Sequence, residues 1–196
     1  MMHMVESVFS ASLEEKKSTF LAYLCPIDDF DMLHAKLKNE HPKAAHIVWA
    51  KRFFNEYRQI VENNSDDGEP KGTSGPPVLN VMRGSELVNT GMLIVRYFGG
   101  IKLGTGGLVR AYGSSAKEVI AIAHLRPFVF REVVLFQTPY PLVPRFEHYA
   151  LHHQLDIQKR RFENEGVIWE VPMSEEQKNT FLLFAVDFKY DGFRVL

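Results

Sequence analysis

Two short segments of this 196-residue chain hold the residues best suited to chemistry. The first is Arg96 to Tyr112, RYFGGIKLGTGGLVRAY, whose glycines at 99, 100, 104, 106 and 107 let the backbone approach another group closely. An apolar run precedes it and a helical pattern follows. Gly104, Thr105, Gly106 and Gly107 therefore fall where a strand passes into a helix, and a helix start offers unpaired backbone N–H groups. Between Thr90 and Lys117 the charged residues are Arg96, Lys102, Arg110 and Lys117, with no Asp or Glu among them. Glycines, cations and a helix N-terminus are the ingredients of a site for phosphate or another anion. The pattern is neither a P-loop, since no Gly-Lys-Ser/Thr closes it, nor a dinucleotide fingerprint, since no G-x-G-x-x-G opens the helix. A tight strand-to-helix turn with no ligand is the alternative reading.

The second segment, SDDGEPKGTSGPP from Ser65 to Pro77, gathers Asp66, Asp67 and Glu69 beside Lys71, Thr73 and Ser74. Three close carboxylates suit a hard divalent cation such as magnesium. Asp67-Gly68 is also a common turn pair, and Asp side chains cap their own backbone; this second reading is preferred and no metal is assigned. His148 and His152 stand four apart in a helical stretch with His153 adjacent, the spacing at which two imidazoles share a zinc ion. No third ligand lies nearby and Glu147 is outside an H-E-x-x-H order, so zinc is not assigned either. Ser74, Ser114 and Cys25 sit in no nucleophile-elbow or Cys–His signature. No catalytic residue and no cofactor are assigned.

A third candidate runs from Lys43 to Arg58, where Lys43, His46, Lys51, Arg52 and Arg58 interleave with Trp49, Phe53, Phe54 and Tyr57. Surfaces that bind single-stranded RNA combine phosphate pairing with base stacking in this way. Strand alternation favours a plainer expectation, with the aromatics in the core and the charges in water.

Lys and Arg number 23 against 24 Asp and Glu, so no whole-molecule field draws the chain to nucleic acid or anionic lipid; binding to either needs a local patch. The single cysteine, Cys25, rules out an intramolecular disulfide and suits a reducing compartment, the cytoplasm. No apolar run reaches the ~20 residues of a membrane-spanning helix, and the first residues lack the apolar core of a signal peptide. Neither membrane insertion nor secretion is expected.

These sites need elements to position them. Val5–Ser10 and Thr19–Pro26 read as strands joined by the Glu14–Lys17 charge run, and Phe30, Leu33 and Leu37 mark one face of a helix that ends before Pro42. Ala44–Phe54 and Tyr57–Val61 form a second hairpin turning at Asn55-Glu56. Ser65–Pro77 is irregular, a short helix begins at Val78, and Met92–Phe98 is a buried strand. Leu108, Tyr112, Ala116, Val119 and Ala123 define a helix, and Pro127 marks a domain boundary. Beyond it come a strand over 129–138, a helix over 142–154, a hairpin of 155–162 with 167–171, a helix opened by the capping box Ser174/Gln177, and a strand over 193–196. The order βαββαβ is the ferredoxin-like pattern.

Ser65–Gly75 and Arg96–Tyr112 together resemble the signature of the YigZ/IMPACT family, D-D-G-E-P-x-G-T-x-G followed by Y-F-G-G-x-K-L-G-x-G-G-L-V-R-A-Y. The resemblance implies an α+β protein. Its domains would be an N-terminal domain, 1–126, like domain 2 of ribosomal protein S5, and a ferredoxin-like domain, 127–196, like one in a translocation elongation factor. It also implies a translation-linked binding or regulatory role with RNA, the ribosome or a ribosome-associated protein as partner. Eukaryotic IMPACT members restrain an amino-acid-starvation kinase through an extra N-terminal domain, which this chain is expected to lack, so that role is not carried across. Pro76 departs from the basic or larger residue of many relatives. On this reading Arg96, Lys102, Gly104–Gly107 and Arg110 form the anion-binding face, with the Asp66, Asp67, Glu69, Lys71 and Thr73 loop as a possible second contact. The enzyme alternative, suggested by small-molecule kinases that share the S5-like fold, places a nucleotide on Lys102 and magnesium on Asp66, Asp67 or Glu69. A third reading is a protein-interaction scaffold.

Overall fold

Ser18–Pro26 alternates between fully and partly buried residues, whereas Thr90–Tyr97 is buried almost throughout. A strand reads this way when both sheet faces are covered, and these two segments lie in the middle of the first sheet. The computed structural model describes residues 1–196. In chain order its strands are β1 (His3–Met4), β2 (Phe9–Glu15), β3 (Ser18–Pro26), β4 (His46–Phe54), β5 (Ile60–Ser65), β6 (Thr90–Tyr97), β7 (Arg126–Pro127), β8 (Glu132–Thr138), β9 (Lys159–Glu163), β10 (Gly166–Met173) and β11 (Arg194–Val195). The helices are α1 (Phe30–Glu40), α2 (Gly75–Gly84), α3 (Thr105–Ile122), α4 (Val143–His152) and α5 (Glu175–Ala185).

Residues Met1–Phe128 form one unit and Val129–Leu196 another. The first is built on an antiparallel sheet of order β2-β3-β6-β4-β5. Alternation along β6 sends Met92 and Ile94 to the side packed by α2 and α3, and Leu93 and Val95 to the side packed by α1. Phe20 of β3 meets Tyr112 of α3 edge to face, with ring centroids 5.1 Å apart, at the centre of the first of these cores. The first unit runs on to Phe128 past the pairing of Arg126 and Pro127 with Met4 and His3.

The second unit has the order β8-α4-β9-β10-α5-β11, with its four strands arranged β11-β8-β10-β9 and every neighbouring pair antiparallel. Val134 and Phe136 of β8 and Trp169 and Val171 of β10 meet Phe146 and Phe181 from the two helices. The capping box at α5 is present in both halves: Gln177 N–H donates to the Ser174 hydroxyl and the Ser174 N–H donates to the Gln177 side chain.

Three expectations need correction. The first strand is Phe9–Glu15, not Val5–Ser10; Lys16 and Lys17 both take positive φ and make the tight turn alone, which leaves Glu14 and Glu15 in the strand. The second hairpin turns over Asn55–Gln59, where the Asn55 side-chain Oδ1 accepts from Tyr57 and Gln59 N–H, so β5 starts at Ile60. Helix α2 starts at Gly75 rather than Val78, because Pro76 and Pro77 occupy its first turn, where no N–H is needed.

Candidate functional site

β6 delivers the chain to the glycine-rich loop, and α3 carries it away. Two glycines are fixed by geometry. A Cβ on Gly99 would lie 1.8 Å from the carbonyl oxygen of Lys17, because the loop passes directly against the β2–β3 turn; there Gly99 N–H donates to the Ser18 hydroxyl at 3.3 Å. Gly104, at φ +70°, is the residue before α3, and no side chain caps the helix. The intrahelical ladder opens with Leu108 N–H donating to the Gly104 carbonyl. The N–H groups of Thr105, Gly106 and Gly107 are the orphan donors of an 18-residue helix. Lys102 and Arg110 are exposed beside this sequence with no acidic partner. The loop also exposes Phe98 (52%) and Ile101 (44%), two apolar residues that the sequence reading did not single out.

Arg96 is placed differently from the expectation that it lies on an open face. Its position on β6 puts it in register with Met92 and Ile94, pointing towards α3, and it is buried. Its guanidinium meets the Glu69 carboxylate at 2.5 Å, and Tyr112 donates its hydroxyl proton to the same Glu69 oxygen at 2.8 Å. Phe20 and Phe98 flank it, their ring centres 5.6 and 5.7 Å from the guanidinium carbon. Burial, then the Glu69 charge, pushes the Tyr112 phenol far above its usual range and keeps it protonated. His46 approaches the other Glu69 oxygen at 3.8 Å while its Nδ1 bonds the Asp67 carbonyl. The basic excess between Thr90 and Lys117 is therefore smaller in space than in sequence, because a carboxylate 27 residues upstream neutralises Arg96.

The Ser65–Gly75 loop uses its carboxylates the same way. Asp66 accepts from the N–H of Gly72, Ser74 and Gly75 and from the Ser74 hydroxyl, at 2.7 to 3.0 Å, and so closes the N-terminus of α2. Burial works against its ionised form, but the donations from Gly72, Ser74 and Gly75 outweigh it and hold the carboxyl below its usual range. Asp67 accepts from the backbone N–H of Ile47 on β4 at 2.6 Å. Thr73 donates to the Pro70 carbonyl, and Lys71 is exposed. Asp66, Asp67 and Glu69 thus serve three different partners. His, Cys, Asp and Glu side chains do not gather here in a group of three that could hold a metal ion.

The interleaved segment is also corrected. Trp49, Lys51 and Phe53 share one side of β4, and the Lys51 ammonium sits 5.0 Å from the centre of Phe30 and 5.8 and 5.9 Å from those of Trp49 and Phe53. The cation is held among the aromatics instead of opposite them. Arg52, on the other side, bonds Glu62 and the Leu87 carbonyl. His148 and His152 lie exposed on α4 with ring centroids 6.4 Å apart, and no third group completes a metal set. Cys25 is fully buried, and burial pushes its thiol up to about 12.

These features define a two-unit α+β protein whose first unit carries an exposed glycine-rich, basic helix start over a buried Glu–Arg–Tyr network. The Impact N-terminal domain profile matches residues 16–120. An IMPACT family member of Haemophilus influenzae is 36% identical over 153 residues, covering 76% of this chain and 74% of that one. The IMPACT family member YvyE of Bacillus subtilis is 29% identical over 187 residues, covering 92% and 85%. The chain belongs to the IMPACT family. A crystal structure of a hypothetical protein is similar over 100% of this chain and 96% of that one, with a TM-score of 0.69 at 26% identity. No helix is long and apolar enough to cross a membrane.

Proposed function

We propose that this protein is a translation-linked regulatory binding protein that contacts RNA, on the ribosome or free, through the face made by Lys102, Gly104–Gly107 and Arg110. The observation that carries the reading is the pairing of two exposed, unpartnered cations with the three free N–H groups at the start of α3. Backbone N–H groups and long cations are what proteins use to hold phosphate, without reading sequence. Phe98 adds an exposed ring on the same loop, suited to stacking on a base. Arg96 is left out of the contact and acts from below, as the buried partner of Glu69.

Membership of the IMPACT family supports the link to translation, and the lone reduced-type cysteine suits the cytoplasm. The sheet orders of the two units support reading the first as S5 domain 2-like and the second as ferredoxin-like, each folding on its own core. Cosedimentation of the purified chain with ribosomes, and with ribosomes first treated with nuclease, tests the partner. Retention that needs intact RNA and is lost in a Lys102→Gln/Arg110→Gln variant is expected. Retention that survives both treatments would move the contact to a ribosome-associated protein or to another face.

A further inference from the structure

Each edge strand of a β-sheet shows water a row of backbone N–H and C=O groups that another strand can pair with. The two larger sheets of this chain end on four such strands, β2 and β5 in the first and β11 and β9 in the second. Three of them are guarded. β9 is exposed along its whole length and opens with Lys159, Arg160 and Arg161. β11 has two residues, and the middle of β5 is Glu62, Asn63 and Asn64, with Glu62 held by Arg52 and Arg83. Charge, brevity and polar side chains are what natural sheets use to keep a further strand from adding on.

β2 carries none of these devices. It is 7 residues long and has no proline, its pairing with β3 runs without a bulge from Phe9 to Glu15, and its first charged residue is Glu14. Phe9, Ala11 and Leu13 alternate toward α3 and stay half-buried, because the apolar layer ends at this edge. On the other side Ser10 and Ser12 are exposed beside a shallow hollow of about 200 Å³ that Leu21 and Tyr23 also line.

We propose that β2 pairs antiparallel with β2 of a second copy of this chain, about a two-fold axis at Ala11, so that the two sheets join into one. In that register the strand is its own complement. Phe9 falls opposite the partner's Leu13 and Ala11 opposite the partner's Ala11, which carries the apolar layer across the join; Ser10 falls opposite the partner's Ser12 on the other side. Beyond these pairs Glu14 and Glu15 run beside the partner's Val8 and the partner's Ser7, and Lys16 comes to the partner's Glu6. No like charges meet. Moving the register by one residue sets Ala11 against a serine, and moving it by two leaves Phe9 against Glu15 or Leu13 against Ser7. The same operation about the centre of β9 would oppose Arg161 to itself. A strand from another protein would need this alternation of apolar and small residues with unlike charges at its ends; β2 supplies that sequence itself, which selects a second copy.

Sedimentation equilibrium of the full chain from about 5 to 500 μM tests the pairing. A contact this short is smaller than a standard interface, so the dimer should half-dissociate between about 1 and 100 μM. Ser10→Lys/Ser12→Lys and Ser10→Asp/Ser12→Asp should each weaken it by about tenfold or more, since like charges then face each other at every serine pair. An equimolar mixture of the two variants should recover the dimer. Both serines are exposed, so the variants should keep the wild-type circular dichroism and melting behaviour. Ala11→Cys, a smaller change, should cross-link into a dimer under a mild oxidant, because Cα atoms opposite each other on antiparallel strands stand about 4.5–5.5 Å apart and Cys25 is buried. A wild type that stays monomeric at about 500 μM would overturn the proposal and leave this edge to a strand of another protein. A dimer that both charged variants leave intact within about twofold, or a mixture that fails to associate, would overturn it too.

Discussion

Ser65–Gly75 and Phe98–Arg110 are both short, rich in glycine and charged, and they use those charges in opposite ways. In the first, Asp66, Asp67 and Glu69 turn inward: one closes α2, one holds β4 and one neutralises Arg96. In the second, Lys102 faces water beside a helix start with no cap, and Arg110 does the same one turn into α3. A carboxylate committed to donors of its own chain is a structural part, and removing it costs stability. An exposed cation with no partner contributes little to folding, which leaves it free to meet a group outside the chain.

The largest effect should come from breaking the buried pair. Glu69→Gln leaves the Arg96 charge buried without its counter-ion, and urea unfolding should show a loss of about 3–5 kcal/mol. A Glu69→Leu/Arg96→Met double variant should lose less than either single change, because no uncompensated charge remains. A double loss equal to the sum of the singles would mean that the two side chains act separately and that the network is misread.

Asp66→Ala comes next, at about 2 kcal/mol, for the loss of charge-assisted bonds to the start of α2. Its pH dependence has a defined sign. The folded-state carboxyl lies below its unfolded value, so its contribution is fully present above about pH 4 and is lost as pH falls through the folded value. The gap between wild type and Asp66→Ala should therefore close on acidification. A gap that stays constant with pH would show that the carboxylate charge plays no part. Glu62, bridged by Arg83 and Arg52 and held down to about 2, adds a second contribution lost over the same acid range.

At the other end, Lys102→Gln and Arg110→Gln should each change stability by about 0.5 kcal/mol or less in the same unfolding assay. A loss of several kcal/mol would place them among the structural parts and erase the contrast between the two loops.

Local patterns carried much of the architecture. Phe30, Leu33 and Leu37 marked α1, the apolar run into Tyr97 marked β6, and Ser174 with Gln177 marked the start of α5, because each signal and the structure it specifies lie within one turn or one strand. What the sequence hid depends on distances between segments. Nothing local says that Glu69 meets Arg96 and Tyr112, so Arg96 read as a free cation when strand alternation had already committed it to the core. Lys51 misled for the related reason that three aromatics from two elements, Phe30, Trp49 and Phe53, make its face of the sheet hospitable to a cation. The family signature spans both loops, and it does not separate a residue that builds the site from one that faces the partner.

The salt dependence of RNA binding tests the division between the loops most directly. Anisotropy of a labelled single-stranded RNA, titrated with the wild type and with Lys102→Gln/Arg110→Gln over a series of salt concentrations, gives the slope of log affinity against log salt. Each phosphate contact adds about 0.7 to that slope for a single strand, so the double variant should bind more weakly and its slope should be flatter by about 1.4. A folded double variant with the wild-type affinity and the wild-type slope would contradict the account, and the exposed loop would then have no claim to the contact.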